Sequence, residues 1–118
     1  MAHSPEYLRG IELFNEGRYF ECHEIWETIW MRAEGAEREF LHAMIQIAAA
    51  LLHLRRGNEG GAASVHARAR ARLAALPPMM LDLDTRAFAD AVKNHFDAAR
   101  QPGGAAGRGP RIILQIRS

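Results

Sequence analysis

The sequence has a single cysteine, no long hydrophobic run and almost no net charge. One cysteine, Cys22, cannot close an internal disulfide, and it stands among aromatic residues. A reducing compartment, the cytoplasm, is therefore the expectation. The longest mostly apolar stretch, Met44 to Leu54, is interrupted by Gln46 and His53. It is too short to span a bilayer and reads as a buried helix, so no membrane association is expected. The opening Met1-Ala2-His3-Ser4-Pro5-Glu6 lacks a basic region followed by an apolar run, and no signal peptide is visible. A formal charge of +1 gives no global case for nucleic acid. A glycine-rich phosphate loop, a G-x-S-x-G motif and a repeat of fixed period are also absent.

What remains is globular material. With 118 residues, 48% hydrophobic and 25% charged, the chain makes one domain with a core of its own. Charge is uneven: residues 1–60 hold ten acidic and six basic side chains, residues 61–118 four and nine. Helical periodicity runs to about Arg100, broken only briefly. Ser4-Pro5 starts a first helix, with Leu8, Ile11 and Phe14 on one face, which Gly17 stops near residue 16. A second helix covers about 19–33, a third 36–56 and a fourth 61–76, with Gly35, Gly57-Asn58 and Pro77-Pro78 as breaks. The fourth has Val65, Ala69, Leu73 and Leu76 as its stripe. Asp84 caps a fifth, whose inner face is Phe88, Val92 and Phe96. No alternating strand pattern appears. The expected fold is all-α, a compact bundle of about five helices with the third central, over residues 1–100. Residues 101–118 read as a Gly/Pro-rich linker and a short apolar tail, Arg111 to Ile116. An apolar tip on such an arm docks on its own domain or on a neighbouring subunit, so self-association through residues 111–116 is expected.

Gly17 to Trp30 holds both tryptophans, the cysteine, a histidine and three glutamates. On a wheel of about 100° per residue, Tyr19, Cys22, Trp26, Ile29, Trp30 and Ala33 share a face. His23 and Glu27, one turn apart, edge it; Glu24 lies further round, and Glu21 and Arg32 face solvent. The third helix is apolar around most of its circumference, yet His42, Gln46, Ala49 and His53 form one stripe. Buried polar groups cost ~1–3 kcal/mol each when unpaired, so this stripe needs partners or a cleft. A short Gly35 connection makes the two helices antiparallel neighbours. Glu27 then faces His42, His23 faces Gln46, and His53 falls near Asn15-Glu16-Gly17.

Three readings of this seam stay open. In a structural network, Glu27–His42 and His23–Gln46 pairs fix helix register. In a ligand pocket, the same residues line a concave site. In a metal site, His23, Glu27 and His42 supply two imidazoles and a carboxylate, a common zinc set. The known metal motifs fit poorly. His23-Glu24-Ile25-Trp26-Glu27 begins like H-E-x-x-H but ends in glutamate. Glu39-Phe40-Leu41-His42 has the E-x-x-H spacing of di-iron bundles, in one copy where two are needed. His66-Ala67-Arg68-Ala69-Arg70-Ala71-Arg72 reads as a solvated helix surface, because residues two apart point about 200° apart and no aromatics interleave. Nucleic acid is not an expected partner. Asp82 and Asp84 read as turn and cap residues.

The segment Phe14-Asn15-x-Gly17-x-Tyr19-Phe20-Glu21-x-His23-Glu24-x-Trp26-Glu27-x-x-Trp30 resembles the signature of a prokaryotic family catalogued as domain of unknown function 309. Phe40 to Gln46, Arg56-Gly57-Asn58 and the Ala/Arg/Leu-rich fourth helix are similar to its second half, so the resemblance covers about residues 5–76. It implies a small all-helical domain without an assigned activity, substrate or cofactor, and marks Glu21, His23, Glu24, Trp26, Glu27 and Gln46 as signature positions. His42 stands where many relatives are expected to carry glutamine. Gly10-x6-Gly17-x-Tyr19-x2-Cys22-x3-Trp26 is also similar to one tetratricopeptide helix pair, which implies a tight first hairpin. The expected function is a binding or interaction domain for a small ligand or protein. Trp26 and Trp30, one turn apart, read first as core-packing anchors and Cys22 as a small core residue; in the pocket reading His23, Glu24, Glu27, His42 and Gln46 form the polar site and the two indoles its walls. The alternative is a metal-dependent or Glu-based hydrolase using His23 and Glu27, with Glu27 or Glu24 as general base.

Overall fold

The computed structural model describes residues 3–101 and 109–115. Its elements are α1 (Pro5–Asn15), α2 (Tyr19–Trp30), α3 (Gly35–Arg55), α4 (Glu59–Ala74), β1 (Met79–Met80), β2 (Leu83–Asp84) and α5 (Thr85–Ala99). The fold is an all-α bundle with α3 at its centre, packed most extensively on α2 and α4. Among the described residues, no helix is long and apolar enough to cross a membrane. Residues 102–108 of the expected linker (102–110), and Ile116 of the tail, lie outside the described residues.

Local chemistry sets the helix ends. Ser4 accepts from Tyr7 N at 3.1 Å, with Pro5 at the first helical position. α1 and α3 stop in the same way. Gly17 and Gly57 adopt φ of 78° and 80°, and the two amides after each helix cap turn back to its last carbonyls: Gly17 to Phe14 and Arg18 to Leu13, then Gly57 to Leu54 and Asn58 to His53. α2 is shorter than expected. Beyond Trp30 the chain tightens into three-residue turns, Arg32 N to Ile29 O and Ala33 N to Trp30 O. Arg38 closes this end from the next helix, donating to Trp30 O at 3.0 Å and Ala33 O at 3.4 Å.

Three local features differ from expectation. In α1 the buried positions are Tyr7, Gly10, Ile11, Leu13 and Phe14, while Leu8 is exposed, since Tyr7 and Phe14 fill the core from two turns of one face. In α4 the stripe is Ala62, His66, Ala69 and Leu73, so His66 is buried and Val65 only half-buried. Its imidazole stacks on Phe96 of α5 with ring centroids 4.3 Å apart, which explains how a polar ring replaces a hydrophobe there. Between α4 and α5 the chain makes an antiparallel hairpin of two-residue strands, too short to show alternation in sequence. Its turn residues Leu81 and Asp82 both have positive φ, 45° and 64°. Such a conformation in a leucine costs about 1–3 kcal/mol and persists only where the surroundings hold it. Tyr7 Oη donates to Leu81 O at 3.1 Å, Gln115 N to Asp82 O at 2.7 Å, and His3 Nε2 lies 2.8 Å from Asp82 Oδ2. Asp84, the expected cap, accepts from Ala87 N at 2.9 Å.

The C-terminal segment lies on its own domain. Ile112 is buried in the core, and Asn15 holds its backbone on both sides, donating to Ile112 O at 2.9 Å and accepting from Ile112 N at 2.7 Å. Ile113 points outward.

Candidate functional site

The two tryptophans of α2 lead into different environments. Trp26 turns toward α1, where Gly10 leaves room for it: a Cβ on Gly10 would overlap the indole nitrogen. The ring is fully buried, stacks on Phe14 at 6.1 Å and donates its N–H to Tyr7 O at 3.2 Å. Cys22 is buried beside this seam, and burial pushes its thiol well above the usual range, so it is an inert core residue. Trp26 is therefore not the pocket wall expected of it. It belongs to the α1–α2 seam, because its indole is satisfied there.

Trp30, one turn on, faces α3. It lines a cleft of about 230 Å³ with His23, Glu27, His42, Ile45, Gln46 and Ala49. Two helical stripes build this cleft. His23, Glu27 and Trp30 follow at four and three residues on α2, and His42, Gln46 and Ala49 do the same on α3. These three α3 positions, together with His53, are half-buried on a helix whose other central positions are almost all buried. Glu24, also expected in the pocket, is exposed and does not line the cleft.

The cross-seam pairs expected of a structural network are not formed. His23 Nδ1 lies 3.2 Å from Glu27 Oε1 on its own helix, with side chains 33% and 47% exposed. This pair is the wet rim of the cleft. Deeper, the His42 ring tilts against Trp30 at 5.4 Å between centroids. Burial first, then the nearby guanidinium groups of Arg72 and Arg38, hold the His42 pKa below its ordinary value, with Glu39 opposing. Gln46 Oε1 and Trp30 Nε1 are both buried and have no hydrogen-bond partner in the protein. Among the described residues no group of three or more His, Cys, Asp or Glu side chains is placed to hold a metal ion. His23, Glu27 and His42 thus share a cleft without forming a ligand cluster.

Sequence reasoning misses Arg38. Its guanidinium stacks 4.2 Å above the Trp30 ring while it caps α2. The signal is an arginine eight residues after Trp30, across a glycine turn, but only the closed hairpin shows that it folds back. His53 Nδ1 lies 3.3 Å from Asn58 Nδ2. Arg55 reaches the α1–α2 turn, donating to Gly17 O at 2.6 Å and stacking on Tyr19 at 4.6 Å. A groove of about 540 Å³ between α4 and α5 is larger, walled by four alanines, Leu73, Arg70, Arg86 and Asp90. Its Arg86 is already engaged with Leu73 O and Leu76 O.

The family model described as "Domain of unknown function (DUF309)" matches residues 7–65, which span both helices of the cleft. No curated protein matches the chain. Among solved structures, a conserved hypothetical protein from Thermus thermophilus is similar, with 34% identity and a TM-score of 0.70. That match covers 81% of this chain and all of the other.

Proposed function

The chain belongs to the DUF309 family, and from that premise we propose that it is a binding domain whose site is the cleft between α2 and α3. One observation carries this reading. The side chains of Trp30 and Gln46 line the cleft, and each carries a buried polar atom, Nε1 and Oε1, without a protein partner. Each such atom costs ~1–3 kcal/mol, which marks this seam as one not packed for stability alone. His23 and Glu27 at the rim supply further polar contacts, and His42 an imidazole wall whose pKa burial holds below the ordinary value.

The hydrolase alternative has less support. Glu24 stands off the cleft, and Glu27 is an exposed rim carboxylate beside His23. A cytoplasmic location is supported by the one buried cysteine, and a prokaryotic origin by the Thermus relative. The test is a fragment screen by nuclear magnetic resonance on the full chain. The expected outcome is that hits move the His23, Trp30 and Gln46 signals together. Hits confined to other surfaces would overturn the reading.

A further inference from the structure

The C-terminal segment presents more than its own anchoring requires. Ile112 and the half-buried Leu114 face the domain, while Arg111, Ile113 and Gln115 alternate outward, the period-two pattern of extended backbone. The inward side is fixed. Ile112 is buried, Asn15 pairs both of its backbone groups, and Gln115 N donates to Asp82 O. The outward side therefore holds Ile113, 73% exposed, on backbone that is already ordered. Ordering in advance lowers the entropy that a partner contact has to overcome.

Ile113 borders a slot of about 180 Å³ formed by this segment, β2 and α5, on whose α5 side Ala87 and Ala91 are exposed. Met79, another exposed large hydrophobic residue, flanks the slot. It pairs with Asp84 across β1–β2, so the two side chains stand on one face, and Asp84 lines the slot. Charge has the same layout. Arg111 and Asp84 both line the slot, and among the described residues neither forms an ion pair. Asp84 uses Oδ1 to cap α5 on Ala87 N, which leaves its other oxygen for a partner. The patch thus carries an apolar knob beside an apolar slot, and a cation beside an anion. Such a surface is complementary to itself: a two-fold axis brings each residue i to j and each j to i.

We propose that this face is a two-fold contact with a second copy of the chain. Ile113 of each copy enters the partner's slot against Ala87 and Ala91, and Arg111 of each pairs with the partner's Asp84. The contact shares no residue with the α2–α3 cleft, so either can fail without the other.

The test is sedimentation of the full chain over a concentration series reaching about 1 mM. Two knobs and two slots make a small interface, so a dimer with a dissociation constant of about 10–300 µM is expected. Ile113→Asp removes the knob, and Ala91→Arg, at an exposed helix position, fills the slot. Each variant alone should be monomeric and should melt as the wild type does, since both positions are exposed. Mixed together, the two variants should associate again. The intact knob of one then meets the intact slot of the other, and the introduced aspartate meets the introduced arginine. Arg111→Glu should weaken the wild-type dimer at least about fivefold by setting like charges against Asp84. A wild-type chain that stays monomeric throughout would overturn the proposal and leave the slot to a different protein. A dimer unaffected by Ile113→Asp would place the interface elsewhere and overturn it as well. Variants that stay monomeric when mixed would overturn the two-fold exchange.

Discussion

The seam between α1 and α2 and the seam between α2 and α3 share a helix, yet one is dry and paired and the other is open and unpaired. In the first, Trp26 N–H meets Tyr7 O, Tyr7 Oη meets Leu81 O, and Asn15 satisfies both backbone groups of Ile112. In the second, Trp30 N–H and Gln46 Oε1 meet nothing in the protein, and the His23–Glu27 pair looks outward. Two tryptophans four residues apart thus do different work. The difference lies in the neighbours: a glycine at position 10 admits one ring completely, whereas His42, Gln46 and Ala49 leave a gap beside the other. Polar burial left unpaired in only one of two adjacent seams is what singles out that seam as the candidate site.

The comparison breaks most readily at Trp26. Trp26→Ala should lose about 3–5 kcal/mol of stability in urea unfolding, the range for a fully buried large side chain. Gly10→Val should lose about 1–3 kcal/mol or more by overpacking the same contact. A loss below about 1 kcal/mol for both would mean the first seam is not the tight one.

Acid should test a third buried polar atom, His66 Nε2, which like the cleft atoms has no protein partner. Burial, reinforced by Arg70, Arg100 and Lys93 and opposed by Asp97, lowers its pKa from 6.5 to about 4. The unfolded chain binds this proton near pH 6.5 and the folded chain only near pH 4. Stability is therefore full above about pH 6.5 and falls as pH drops from 6.5 to 4, by at most ~3 kcal/mol. His66→Leu should flatten that part of the pH–stability curve; a curve unchanged from wild type would place the titration elsewhere.

Asn15→Ala should cost about 1–3 kcal/mol by leaving Ile112's backbone groups unpaired, and should speed proteolysis of the C-terminal segment. Wild-type digestion kinetics would show that the segment is held by other contacts. The smallest effect is expected in the open seam. Trp30→Phe and Gln46→Met should change the melting temperature little, or raise it, because each removes an unpaired buried polar atom. A loss comparable to Trp26→Ala would erase the distinction between the seams.

Much of this molecule is legible in its residues. Gly17, Gly35, Gly57 and the Ser4-Pro5 and Asp84 signals place the helix ends within a few positions, since capping chemistry is local. The stripe of His42, Gln46 and Ala49, read against His23 and Glu27, places the cleft, since helical spacing and a short turn fix which positions face each other. Trp26 as a pocket wall, Glu24 in the pocket and a solvated His66 are the expectations that the structure corrects. The first and last depend on what packs from another element: Gly10 beneath Trp26, Phe96 against His66. Glu24 sits too far round α2 to reach the cleft that α3 closes.

The sequence by itself determined the helices, their order and the two stripes that meet, because propensity, caps and periodicity act within about a turn of chain. Only the tertiary structure decided which polar atoms are paired. Hydrogen bonding in the interior is settled by side chains arriving from distant positions, as when Tyr7 O takes the Trp26 proton and nothing in the protein takes that of Trp30.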